Sequence, residues 1–123
     1  MHKILWIDIW ALSAIMRYLS QNHRPPSQKT LYANHGGLLN QSLIEYGVDS
    51  FFASPIHSNR AIDIIIGRLR SAKLLEPSGK YIPSSQGEAL LEKLSEEWDC
   101  WPLTAMVEDG AIVEAEYLPD GIL

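Results

Sequence analysis

The chain has 123 residues, 46% hydrophobic and 20% charged, with a formal net charge of −5. That is the composition of a folded domain with a core, and it excludes a disordered or low-complexity segment. The single cysteine, Cys100, excludes an internal disulfide and fits a reducing, cytoplasmic setting.

The first expected element is a helix over Ile4–Ser20. Leu5, Trp6, Ile9, Trp10, Leu12, Ile15, Met16 and Leu19 occupy most of its circumference. Such a helix needs cover on more than one side. A second copy of the chain is the expected cover, which makes Ile4–Ser20 a homodimer interface. The segment around Phe51 and Phe52, together with the C-terminal residues, is the alternative cover. Asp8 interrupts the apolar run and Arg17 ends it, short of the roughly 18–20 residues a membrane span needs. No signal peptide and no membrane partner are therefore expected. Pro25 and Pro26 mark a loop, and a second helix is expected from Gln28 to about Asn34. Gly36-Gly37 breaks the pattern as a plain turn, since it lacks the spacing of a phosphate loop. A third helix is expected over Leu38–Tyr46, stopped by Gly47.

The clearest periodicity lies in Ser58–Ala72. Ile62, Ile65, Ile66 and Leu69 fall at i, i+3, i+4 and i+7, one apolar stripe of a helix. Ser58 is its expected N-cap. After Leu74 and Leu75 comes Pro77-Ser78-Gly79-Lys80, then Tyr81 and Ile82. Proline fixes φ and Gly79 tolerates positive φ, so a tight hairpin is expected here. Ser84 or Ser85 caps a last helix, with Glu88 three residues after Ser85 as in a capping box. Leu90, Leu91 and Leu94 should join the isoleucines in one core.

The run GRLRSAKLLEPSGKYIPSSQGEALLEKL resembles the recognition helix, wing and following helix of winged helix-turn-helix regulators of the MarR and PadR kind. The resemblance covers residues 58–98. It implies a mainly α fold with small β-hairpins (α+β), winged-helix-like over residues 1–98. In a compact helix-turn-helix only a few residues join the two helices, whereas here Gly47 to His57 intervenes. The function it implies is transcription regulation through double-stranded DNA. With the isoleucines inward, Arg60, Asp63, Ile64, Gly67, Arg68 and Ser71 face outward. Arg60 and Arg68 suit guanine edges or phosphates, Ile64 a thymine methyl, and Gly67 a close backbone approach. Lys80, at the turn tip, stands where such proteins commonly carry a basic wing residue.

Residues 99–123 form an acidic segment. Asp109-Gly110 lies between the apolar runs Ala105-Met106-Val107 and Ala111-Ile112-Val113, a hairpin signal. The hairpin is expected to pack on the same domain. Residues 1–87 carry a net +4 and residues 88–123 a net −9. The cationic part favours nucleic acid. The anionic part favours a different reading: a small acidic protein-interaction or inhibitor protein of the mobile-element type, such as anti-CRISPR or anti-restriction proteins, that does not bind DNA. Glu108, Asp109, Glu114 and Glu116 would then meet a basic protein. The four histidines, at 2, 23, 35 and 57, have no partner at metal-ligand spacing. No nucleophile–base pair has recognisable local context, and Cys100 lies beside Asp99, which disfavours a thiolate. Neither an enzyme nor a cofactor is expected.

Overall fold

The computed structural model describes residues 1–32, 37–45, 59–97 and 100–117. In chain order it has β1 (His2–Leu5), α1 (Trp6–Asn22), α2 (Gln28–Tyr32), α3 (Leu38–Glu45), α4 (Asn59–Ser71), α5 (Ser85–Lys93), β2 (Thr104–Glu108) and β3 (Ala111–Glu116). The fold is α+β: helices against one three-stranded antiparallel sheet of order β1-β2-β3. The expected N-cap Ser58 and the Gly47–His57 segment lie outside the described residues.

The N-terminus differs from the expected helix. His2–Leu5 is a strand, with Ile4 opposite Ala105 and Leu5 opposite Thr104. The helix starts at Trp6 because Leu5 stays extended (φ −107°, ψ 162°). The Trp6 N–H donates to the Leu103 carbonyl at 2.8 Å. The Leu5 N–H donates to an Asp8 carboxylate oxygen at 2.8 Å. Asp8 sits in the first turn, where a carboxylate satisfies an orphan donor and complements the helix dipole. The residue that broke the apolar run is the one that starts the helix.

Much of the apolar surface of α1 is covered within one chain. Ile9, Trp10, Ala11, Leu12, Ala14 and Ile15 are all buried. Helix α1 packs against β1, α3, α4 and α5. The Trp10 indole N–H donates to Ser42 Oγ at 3.1 Å, so the largest buried side chain has its polar atom satisfied. For these residues the cover comes from the chain's own elements, while Trp6, Met16 and Leu19 stay half-buried.

Helix α4 buries Ile62, Ile65, Ile66 and Leu69. Leu90 shares that core, while Leu91 and Leu94 are half-buried at its rim. Trp101, Ala105 and Val107 belong to the same core, so the acidic C-terminal segment and α4 pack on one another's neighbours. Just past α4, Lys73 takes φ 60°, and the Leu74 N–H returns to the Leu69 carbonyl at 2.9 Å. This is a left-handed helix stop with a lysine where glycine is usual.

The segment after α4 is less regular than the expected hairpin. Its ladder is a single bridge, Leu75 to Pro83, with the Glu76 N–H donating to the Ile82 carbonyl at 2.8 Å. Pro77 and Pro83 have no N–H, so a longer ladder cannot form. Arg70 holds the loop instead. It donates to the Ser78 carbonyl at 3.1 Å and lies 5.3 Å from the Tyr81 ring centroid.

Ser84, not Ser85, caps α5, accepting from the Gly87 N–H at 3.0 Å. Ser84 is fixed there because its N–H donates to Leu74 and its hydroxyl to Lys73. Gly87 thus takes the position that the box would need for glutamate. A Cβ at Gly87 would lie 2.1 Å from the Leu74 carbonyl oxygen, so α5 touches the segment just after α4 backbone to backbone.

The C-terminal hairpin turns at Asp109 (φ 51°) and Gly110 (φ 80°). Both central residues are left-handed, as a two-residue hairpin turn requires. A Cβ at Gly110 would lie 2.7 Å from the Gln86 carbonyl oxygen, so the turn is seated on the start of α5.

Candidate interaction surfaces

Two surfaces collect the candidate residues. The first is the outer side of α4. Arg60, Asp63, Ile64, Gly67 and Ser71 recur at i, i+3, i+4, i+7 and i+11, one stripe of a helix. All five are exposed, and Ile64 keeps 48% of its surface in solvent. A Cβ at Gly67 would meet nothing within 4 Å. Lys80 is exposed at the turn after α4, as is Lys73 at the helix stop.

Arg68 is not part of that exposed set. Its Nε and Nη2 donate to the two Asp8 carboxylate oxygens, each at 2.8 Å. Asp8 is fully buried, and 31% of the Arg68 side chain is exposed. This fork-to-fork geometry is the strongest form of the pair. It ties α4 to the start of α1, and through the Leu5 N–H to β1. Arg68 therefore positions the fold, and the stripe keeps one arginine where the sequence suggests two.

Asp63 has a partner that the sequence did not disclose. The Tyr32 hydroxyl, on α2, donates to its carboxylate. Burial, and then this hydrogen bond, push the Tyr32 hydroxyl up to about pKa 12. It stays a neutral donor at any physiological pH. The sequence marks neither Tyr32 nor Asp8 as a member of the α4 environment. The only available signal was Asp8 as a lone acid in an apolar helix start.

The second surface is the hairpin. Glu108, Asp109, Glu114 and Glu116 are all exposed. In register, Glu114 lies beside Met106 and Glu116 beside Thr104 on β2. Lys3 and Leu5 of β1 continue those two rows. Among the described residues strand β3 is an edge of the sheet, and Val113 through Tyr117 are exposed without interruption.

A groove of about 360 Å³ between α1, α2 and α3 is lined by Tyr18, Gln21, Thr30 and Gln41 among others. Arg17 and Glu45 pair across it at 3.4 Å. Among the described residues no helix is long and apolar enough to cross a membrane. Comparison of the chain with protein-family models, with curated proteins and with solved structures gives no match to any of them.

Proposed function

We propose that the chain is a winged-helix-like DNA-binding regulator that lays the outer side of α4 and the Pro77–Lys80 turn on a duplex. The observation that carries this reading is the uninterrupted exposure of Arg60, Asp63, Ile64, Gly67 and Ser71 along one helix side. The Tyr32 hydroxyl on α2 reaches one member of the stripe, Asp63, and all five of its residues stay exposed. Arg60 at one end and Lys73 and Lys80 at the other are exposed cations suited to phosphates. The small residues Gly67 and Ser71 between them would let the helix approach a groove closely. The order α1-α2-α3-α4-turn-α5 is compatible with the resemblance to winged-helix regulators.

The test is binding to random duplex DNA at two salt concentrations. Affinity should fall steeply with salt, by a log–log slope of about 0.9 per phosphate contact. Arg60→Ala with Lys80→Ala should flatten that slope by up to about two contacts' worth. Arg68 does not count toward the slope, because Asp8 occupies its guanidinium.

A second reading has its own observation. With Arg68 withdrawn, Asp63 offsets Arg60 and the stripe is close to neutral. That favours a small acidic protein-interaction or inhibitor protein with its working surface on the hairpin. Under this reading the chain ignores duplex DNA even at low salt.

A further inference from the structure

Strand β3 combines two properties. Among the described residues it is an edge, and its second half is exposed on both faces. Val113 and Tyr117 keep 48% and 59% of their surface in solvent, and Glu114, Ala115 and Glu116 between them are also exposed. An edge presents a row of unpaired N–H and C=O groups, a template for another strand. Side chains alternate between faces. Glu114 and Glu116 therefore share the face that carries Met106 and Thr104, while Ala115 shares the opposite face with Ala105.

Charge decides what fits this edge. Consider a second copy, paired antiparallel about a two-fold axis at Ala115. It would set Glu114 opposite the copy's Glu116, and the reverse, crowding four carboxylates on one face. Like charges directly opposite each other destabilise a strand pair. The chain's own β1 fits little better, since it offers Lys3 to one glutamate and Leu5 to the other. An extended segment with Lys or Arg at alternate positions matches both glutamates at once. Apolar residues between those cations would cover Ala115 and Tyr117.

We infer that β3 is a docking edge for an extended basic segment of another protein, whose cations alternate with apolar residues and which adds a fourth strand to the sheet. The inference deepens the second reading above and does not depend on duplex binding. The bland alternative is that the glutamates only guard the edge against self-association.

The test uses the whole chain and three synthetic ten-residue peptides. One alternates Lys with Val, one has the same composition in Lys-Lys-Val-Val order, and one alternates Glu with Val. The alternating Lys peptide should bind and slow backbone amide exchange in residues 111–117. The reordered peptide should bind about tenfold more weakly, through loss of two opposed charge pairs and their apolar cover. The Glu114→Lys, Glu116→Lys double variant should prefer the Glu peptide. Equal binding of the two Lys peptides would overturn the inference, because it means unspecific charge attraction. Protection outside β3, or self-association of the chain in the absence of peptide, would overturn it as well. Duplex affinity, measured on the same samples, reports on the regulator reading alone. Loss of every protein partner with β3 still protected by the alternating peptide would sink the broader interaction reading and not the edge.

Discussion

The inner and outer sides of α4 use the same residue types for opposite purposes. Inward, Ile62, Ile65 and Ile66 are buried, and Arg68 is locked to a buried carboxylate. Outward, Ile64 lies in solvent and Arg60 is exposed. Helix phase separates the isoleucines correctly, because burial of apolar surface follows the 3.6 period. Phase does not separate the arginines. A long side chain at the border of the stripe goes where its partner is, and that partner is 60 residues away in sequence.

Four experiments sharpen this contrast. The largest effect belongs to the isoleucines. Ile66→Ala should cost about 2–5 kcal/mol, while Ile64→Ala should stay within about 0.5 kcal/mol. Urea unfolding of both variants measures the gap, and similar values would break the division of α4 into two sides.

The arginines come next. Arg68→Ala leaves Asp8 buried without its counter-charge, and removing one partner of a buried pair costs about 3–5 kcal/mol. The partial exposure of Arg68 places it at the lower end, about 3 kcal/mol. Arg60→Ala should leave stability within about 0.5 kcal/mol. A stable Arg68→Ala protein with weakened DNA binding would return Arg68 to the interface.

The two helical glycines should change sign. Ala is favoured over Gly inside a helix by about 0.8–1 kcal/mol, and Gly67 has open space for a Cβ. Gly67→Ala should therefore stabilise by about that amount. At Gly87 the Cβ would strike the Leu74 carbonyl. Gly87→Ala should cost about 1–3 kcal/mol, as overpacking against fixed backbone does. Thermal unfolding of the pair reads both signs in one comparison.

The smallest effect is at Tyr32. Its folded pKa is raised from 10.0 to about 12. The protonated hydroxyl is the form the fold prefers. Its contribution is complete below pH 10 and is lost as pH rises through about 12. Tyrosine absorbance should show a component titrating near pH 12 that Tyr32→Phe removes. An unchanged titration in that variant would mean the contact with Asp63 does not form.

How much of this could be read from the residues varies with the range of the interaction. The α4 stripe and the Asp109-Gly110 turn are local patterns, and the sequence displays them. Strand β1 is invisible because His2–Leu5 runs without a break into an apolar helix, and its partner lies at residues 104–107. The Asp8–Arg68 pair is invisible for the same reason. The turn at Pro77–Lys80 is legible as a turn, but not as irregular, until Arg70 is seen holding Ser78 and stacking on Tyr81. The exposure of β3 on both faces depends on where the helices stop, which no period encodes.

The pairing of β1 with β2 makes the chain's two distant parts kinetically interdependent. Leu5 must wait for Thr104 before its strand has a neighbour, and the Trp6 N–H waits for Leu103. Contacts of such long sequence separation form late and slowly. During synthesis α1 can coil early, but the ladder under its first turn closes only when the hairpin has emerged. Until then Ile4 and the buried side of α1 lack their cover, and this interval is when the nascent chain is most open to aggregation or to chaperone capture.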